Sequence, residues 1–132
     1  VLATLRRDGA PRVSGSEVDF RGPDLCIGSM LDARKARDLR RDGRCALHAN
    51  PGGGMGEEGD AKLAAVAVEV TDPDEVRRAL GDQPAHLFRL DLTEAVVTSV
   101  EGNTLVVRAW HPGGPEVRYE RPDNGPVVRV DA

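Results

Sequence analysis

Apolar residues recur in this chain in short runs, separated by turns rich in Gly, Pro and Asp. Such runs predict strands joined by hairpins. Val1 to Leu5 predicts a first strand. Arg7-Asp8-Gly9-Ala10 predicts a turn, because Asp-Gly accepts the positive φ of a tight hairpin. Pro11 to Phe20 reads as one strand, interrupted by the small polar patch Ser14-Gly15-Ser16-Glu17. A patch of that kind predicts a bulge, or a place where something approaches the backbone closely. Arg21-Gly22-Pro23-Asp24 is a further turn, and Leu25 to Met30 a third strand.

The period then changes. Ala33, Ala36 and Leu39 recur at helical spacing, with charged residues around them. A helix is expected from about Ala33 to Arg41, with Asp32 as its N-cap and Gly43 as its C-cap. Strands are expected at Arg44 to Ala49 and Asp60 to Val70, with a glycine-rich loop from Asn50 to Gly59 between them. Asp72-Pro73-Asp74-Glu75 opens a second short helix that runs to about Leu80. His86 to Leu92, Glu94 to Val100 and Thr104 to His111 follow as strands, the last two joined by a turn at Gly102-Asn103. One edge strand is expected at Glu116 to Glu120, within a C-terminal extension over 112–132. The order predicts a mainly β chain with minor α: a small antiparallel barrel with one or two short helices at its edge.

A chain of 132 residues reads as a single domain. Its apolar set is mostly Val, Leu and Ala with few aromatics, so dimerisation is a natural way to complete core burial. The formal net charge of −4 argues against general nucleic-acid binding. Its cations nonetheless concentrate between Arg34 and Arg44, which suits a small anionic ligand. There are sixteen arginines but only two lysines, and one of those, Lys35, falls within this cluster. A chain that writes its cations as Arg yet places Lys here calls for a compact ammonium. Arg34 and Lys35 are expected in the helix's first turn, where free backbone N–H groups and the helix dipole favour a phosphate.

Other chemistry is less well supported. Cys26 and Cys45 lie in apolar strands without metal-ligand spacing, and are expected as buried free thiols in a reducing compartment. Asp32 to Asp42 lacks the oxygen-ligand spacing of a calcium loop. No run is long enough to span a membrane and no signal peptide is visible, so the chain is read as cytoplasmic. It begins inside a strand without Met, and an N-terminal segment is expected before it. His48 and His86 have no motif partners and are read as structural; Asp60 with Lys62 reads as an ion pair on a strand end. Trp110 reads as core or interface packing. No nucleophile–base motif or P-loop occurs, so if the chain is an enzyme its reactive chemistry belongs to a cofactor.

Three segments resemble one family. Leu2-Ala3-Thr4-Leu5-Arg6-Arg7-Asp8-Gly9-Ala10-Pro11-Arg12-Val13 is similar to the "ATxxxDGxPxV" first hairpin of the pyridoxamine 5′-phosphate oxidase-like flavin-binding split barrels. Arg34 to Leu47 resembles their "KxxxLxxxxRxAL" helix-to-strand element, and Gly59-Asp60-Ala61-Lys62-Leu63 with Val68-Glu69-Val70-Thr71-Asp72-Pro73 the long strand and "V-x-D-P" helix start that follow. The resemblance spans about residues 1–111. It implies a six- to seven-stranded split barrel, a homodimer, and FMN in a groove between subunits. A branch to which this Arg-rich chain is similar uses the deazaflavin F420 instead.

Carried over, Arg12, Gly28, Ser29, Arg34 and Lys35 match the phosphate site, and Ser14, Gly15 and Ser16 the strand along the ring. Glu17 departs from the oxidase proper, where a cation is expected, and the oxidase's C-terminal substrate signature is not evident. The implied activity is hydride transfer with a small organic substrate. The rival readings are a flavin carrier or store, or a haem binder, on the same fold, and a purely structural dimer.

Overall fold

The computed structural model describes residues 1–49 and 59–130. Except for Gly59, the glycine-rich segment expected as a loop lies outside the described residues. The described chain is mainly β with two short helices.

The first hairpin joins β1 (Leu2–Leu5) to β2 (Pro11–Ser14), with Ala3 opposite Val13 and Thr4 opposite Arg12. Its turn forms as Asp-Gly predicts: Gly9 adopts φ 86°, and Ala10 N–H donates to Asp8 Oδ1 at 3.0 Å. The second hairpin joins β3 (Val18–Arg21) to β4 (Asp24–Met30) through Gly22 at φ 58°. The single strand expected over Pro11 to Phe20 is therefore two strands, broken at residues 15–17. A close approach is indeed found there, since the Lys35 ammonium donates to the Gly15 carbonyl at 3.0 Å.

The first helix, α1 (Arg34–Arg41), buries Ala36, Asp38 and Leu39. Its N-cap is Ala33, not Asp32 as expected, and no side chain caps it. Asp32 is spent on the preceding turn: Ala33 N–H donates to the Met30 carbonyl at 3.2 Å, and Asp32 sits at φ 56°. Asp accepts this left-handed geometry better than most residues. The C-cap is Asp42 rather than Gly43. Gly43 serves close packing instead, because a Cβ there would meet the Ala67 carbonyl oxygen at 2.5 Å.

After β5 (Arg44–His48) and β6 (Asp60–Val70), the second helix, α2 (Pro73–Leu80), forms from its local signals. The Asp72 carboxylate accepts from Asp74 N–H, Pro73 opens the helix, and Gly81 closes it at φ 81°. The two strands expected from His86 to Val100 are one 17-residue strand, β7 (Ala85–Glu101). Thr93 is β-branched and does not interrupt it. β8 (Thr104–Trp110), β9 (Val117–Pro122) and an unexpected β10 (Val128–Val130) complete the chain.

Strands hydrogen-bond in the order β10-β9-β8-β7-β6-β5-β1-β2, while β4 pairs with β3 and with β7. The pairs β1–β2, β3–β4, β4–β7, β7–β8, β8–β9 and β9–β10 are antiparallel. The ten strands among the described residues exceed the six or seven expected, and their order does not close on itself.

The chain divides into two compact units. One comprises Val1–Ala46 and Ala65–Asp91, and its core includes Leu2, Ile27, Ala36, Leu39, Leu87 and Phe88. Cys26 and Cys45 are buried free thiols in this unit, as expected. The other comprises Leu47–Ala64 and Leu92–Ala132, with Val96 and Val106 in its interior. No helix among the described residues is long and apolar enough to cross a membrane.

Candidate functional site

α1 carries four arginines at positions 34, 37, 40 and 41, and the turn between β1 and β2 brings Arg7 and Arg12 to the same place. Together with Asp38 these six arginines line an open cleft of about 730 Å³ in the first unit. Positions 34, 37 and 41 fall on one side of a helix, as spacings of three and seven dictate.

One buried carboxylate organises the cleft. Asp38 is 2% exposed. Its Oδ2 accepts from Thr4 Oγ1 at 2.7 Å and from Arg12 Nε at 2.7 Å; its Oδ1 accepts from an Arg41 terminal nitrogen at 3.1 Å. Burial pushes the Asp38 carboxyl's pKa up, but the hydrogen bonds from Arg12, Thr4 and Arg41 outweigh it and hold the group below the ordinary value of 3.8. That same Arg41 nitrogen also donates to the Leu5 carbonyl.

The remaining arginines divide by partner. Arg40 Nε lies 3.0 Å from Glu69 of β6, and Arg37 Nε 3.9 Å from Asp32. Arg7 and Arg34 have no carboxylate partner among the described residues. No acidic residue stands in the first turn of α1. The cleft thus presents unneutralised positive charge beside uncapped helix N–H groups, a combination that attracts an oxyanion.

Of the residues expected at a phosphate site, Arg12 and Arg34 line this cleft. Lys35 lies next to it in sequence, with its ammonium on the Gly15 carbonyl. Ser14 and Ser16 are half-buried and Gly15 is exposed. The Ser16 hydroxyl oxygen is buried without a hydrogen-bond partner. Gly28 lies within β4, where a Cβ would meet Leu80 Cδ2 of α2 at 2.7 Å. It lines a separate cavity of about 470 Å³ with Glu17 and Leu80. Ser29 is buried opposite His86 and donates from Oγ to the Met30 carbonyl at 3.2 Å. The α2 helix thus covers Gly28, and neither Gly28 nor Ser29 lines the arginine cleft.

Arg7 and Asp38 were not expected at the site, and Arg37, Arg40 and Arg41 were expected only as part of the cationic cluster between Arg34 and Arg44. The signal was the run of arginines at helical spacing, which equally describes a solvated helix face.

Elsewhere, the histidines have carboxylate partners. His86 Nε2 accepts from Asp32 N–H at 3.4 Å, and its Nδ1 lies 3.5 Å from Glu69. The Asp60 carboxylate lies 3.0 Å from His48 Nε2, so the partner expected for it, Lys62, is not the one that it meets; Lys62 is exposed. Trp110 is half-buried opposite Ala95. No group of three or more metal-ligating side chains occurs among the described residues.

No protein-family model matches the chain, and no curated protein matches its sequence.

Proposed function

We propose that this chain is an oxidoreductase of the pyridoxamine 5′-phosphate oxidase-like split-barrel type, with FMN as its cofactor and F420 as the alternative. The observation that carries this reading is the arginine cleft, in which Arg7 and Arg34 have no carboxylate partner among the described residues, beside an uncapped helix start. A phosphate dianion fits that donor set. Arg12 and Arg34 would hold it. The orphaned Ser16 hydroxyl fits a ligand with a polar edge, because a buried hydroxyl left unpaired is unfavourable.

The cofactor supplies hydride acceptance and donation to a small organic substrate. The protein's own residues bind and orient. Lys35 anchors the Gly15 carbonyl and so fixes the backbone on which Ser14 and Ser16 are carried. Asp38 fixes Arg12 from behind.

A homodimer completes this reading. Phe20 is 77% exposed and Met30 80%, in a chain with only two Phe and two Met. Large apolar side chains left in water favour a partner surface. The buried free thiols of Cys26 and Cys45 support a reducing, cytoplasmic setting.

The test is to identify by mass the ligand released from heat-denatured protein. FMN or F420 is the expected product. A protein that carries neither and takes up neither on incubation contradicts the proposal.

A further inference from the structure

Asp38 presents a paradox of charge. A cleft built only to attract anions would gain from losing its carboxylate, yet this one buries an ionised aspartate among its arginines. Burying that charge is costly unless its oxygens find donors. Three side chains from three elements supply them: Thr4 from β1, Arg12 from β2 and Arg41 from α1.

The geometry of the Arg12 contact explains what is gained. Arg12 donates through Nε, at 2.7 Å, and its side chain is 17% exposed. A guanidinium is a rigid planar fork of five N–H donors. Fixing Nε therefore fixes the direction of the four that remain, and these have no protein partner among the described residues. Arg41 is held from two sides, by Asp38 and by the Leu5 carbonyl. Without Asp38, both guanidiniums would sample many orientations, and binding would bear the entropy of ordering them.

We propose that Asp38 is a positioning residue that converts a diffuse cationic surface into a site for one compact tetrahedral oxyanion, by locking Arg12 and Arg41. This rests on the reading that the cleft holds a phosphate, and it adds which residue confers the selectivity. Charge and positioning predict opposite signs. Removing the carboxylate raises the cleft's net positive charge, so long-range attraction strengthens. The preorganised donor fork is lost at the same time.

The experiment compares the full chain with its Asp38→Asn and Arg12→Lys variants, using calorimetric titration with inorganic phosphate and the salt needed to elute each protein from immobilised heparin. Asp38→Asn is expected to weaken phosphate binding by roughly tenfold or more, while heparin retention stays equal or increases. Arg12→Lys keeps the charge but lacks the fork, and is expected to weaken phosphate binding similarly. Circular dichroism establishes that each variant is folded; if Asp38→Asn does not fold, Arg12→Lys decides alone. Phosphate affinity equal to or tighter than that of the unaltered chain, in either folded variant, overturns the positioning role and leaves the phosphate reading standing. An unaltered chain that binds no phosphate overturns that reading and this inference together.

Discussion

Lys35 Nζ donates to the Gly15 carbonyl at 3.0 Å, across a separation of 20 residues. This bond ties the start of α1 to the break between β2 and β3. It is where the polar patch in the sequence meets the lysine that stands out in an arginine-rich helix. Lys35→Met keeps the aliphatic stem and removes the donor. Because the bond is exposed, global stability should fall by less than about 1 kcal/mol. Amide exchange at residues 15–17 should accelerate, with exchange in β1 unchanged. Unchanged protection at 15–17 would show that the tether does not hold the segment.

Asp38 gives a pH dependence with a definite sign. Its carboxyl has an ordinary value of 3.8 and a lower one in the fold. The unfolded chain therefore binds the proton more readily, and stability rises with pH through this range. The contribution is complete above about pH 5 and is lost as pH falls through the lowered folded value. Asp38→Asn should cost about 2 kcal/mol at neutral pH, and this difference should shrink as pH drops below 3.8. Urea unfolding of both proteins between about pH 3 and pH 7 measures it. A difference independent of pH contradicts the assignment.

Two glycines should respond unequally to alanine. At Gly43 the added Cβ would meet backbone, the Ala67 carbonyl oxygen at 2.5 Å. At Gly28 it would meet the far end of a flexible side chain, Leu80 Cδ2 at 2.7 Å. Gly43→Ala should destabilise by about 2–3 kcal/mol and Gly28→Ala by about 1 kcal/mol or less. Denaturant midpoints of the two variants check the order, and the reverse order would contradict this packing.

The buried thiols should be inert. Burial pushes the Cys45 thiol from 9.0 up to about 11, and it raises Cys26 as well. Near pH 8 an aromatic disulfide reagent should therefore label the native protein at least about a hundredfold more slowly than the unfolded chain. Stability should also decline as pH rises from 9.0 towards about 11, because the unfolded thiol ionises first. Rapid stoichiometric labelling of the native chain would contradict the burial.

Much of the fold could be read from short-range signals. The second helix was legible because Asp72, Pro73 and Gly81 each act within a turn of their own position. The span of the first helix was legible to within a residue, but its cap was not: Asp32 can serve either as a cap or as a left-handed turn residue, and the turn from Met30 took it. Gly43 misled for a related reason. A glycine after a helix reads as a cap, whereas its role here depends on β6, 24 residues further on at Ala67. The fusion of two expected strands into β7 followed from Thr93, which sequence reading treated as a boundary.

At the candidate site, Arg34 was legible from its place at the start of α1, and Arg12 through the family resemblance. The centre of the cleft was not. Asp38 looks like one charge among many on a helix surface; what buries it is Thr4, 34 residues away, and Arg12, 26 away. Partners at that separation leave no periodic trace in a sequence. Gly28 and Ser29, by contrast, were expected to face a ligand because they precede the helix, and α2 and the β7 ladder occupy their surroundings.

On the proposed function, the arginine cleft grips the phosphate of a flavin or deazaflavin. Equilibrium dialysis of the chain against FMN, F420 and riboflavin tests it most directly, since riboflavin has the ring of FMN without the phosphate. FMN or F420 should be retained at least about a hundredfold more tightly than riboflavin, and Arg34→Gln should remove most of that advantage without unfolding the protein. Retention of riboflavin as tightly as FMN, or of none of the three, would contradict it.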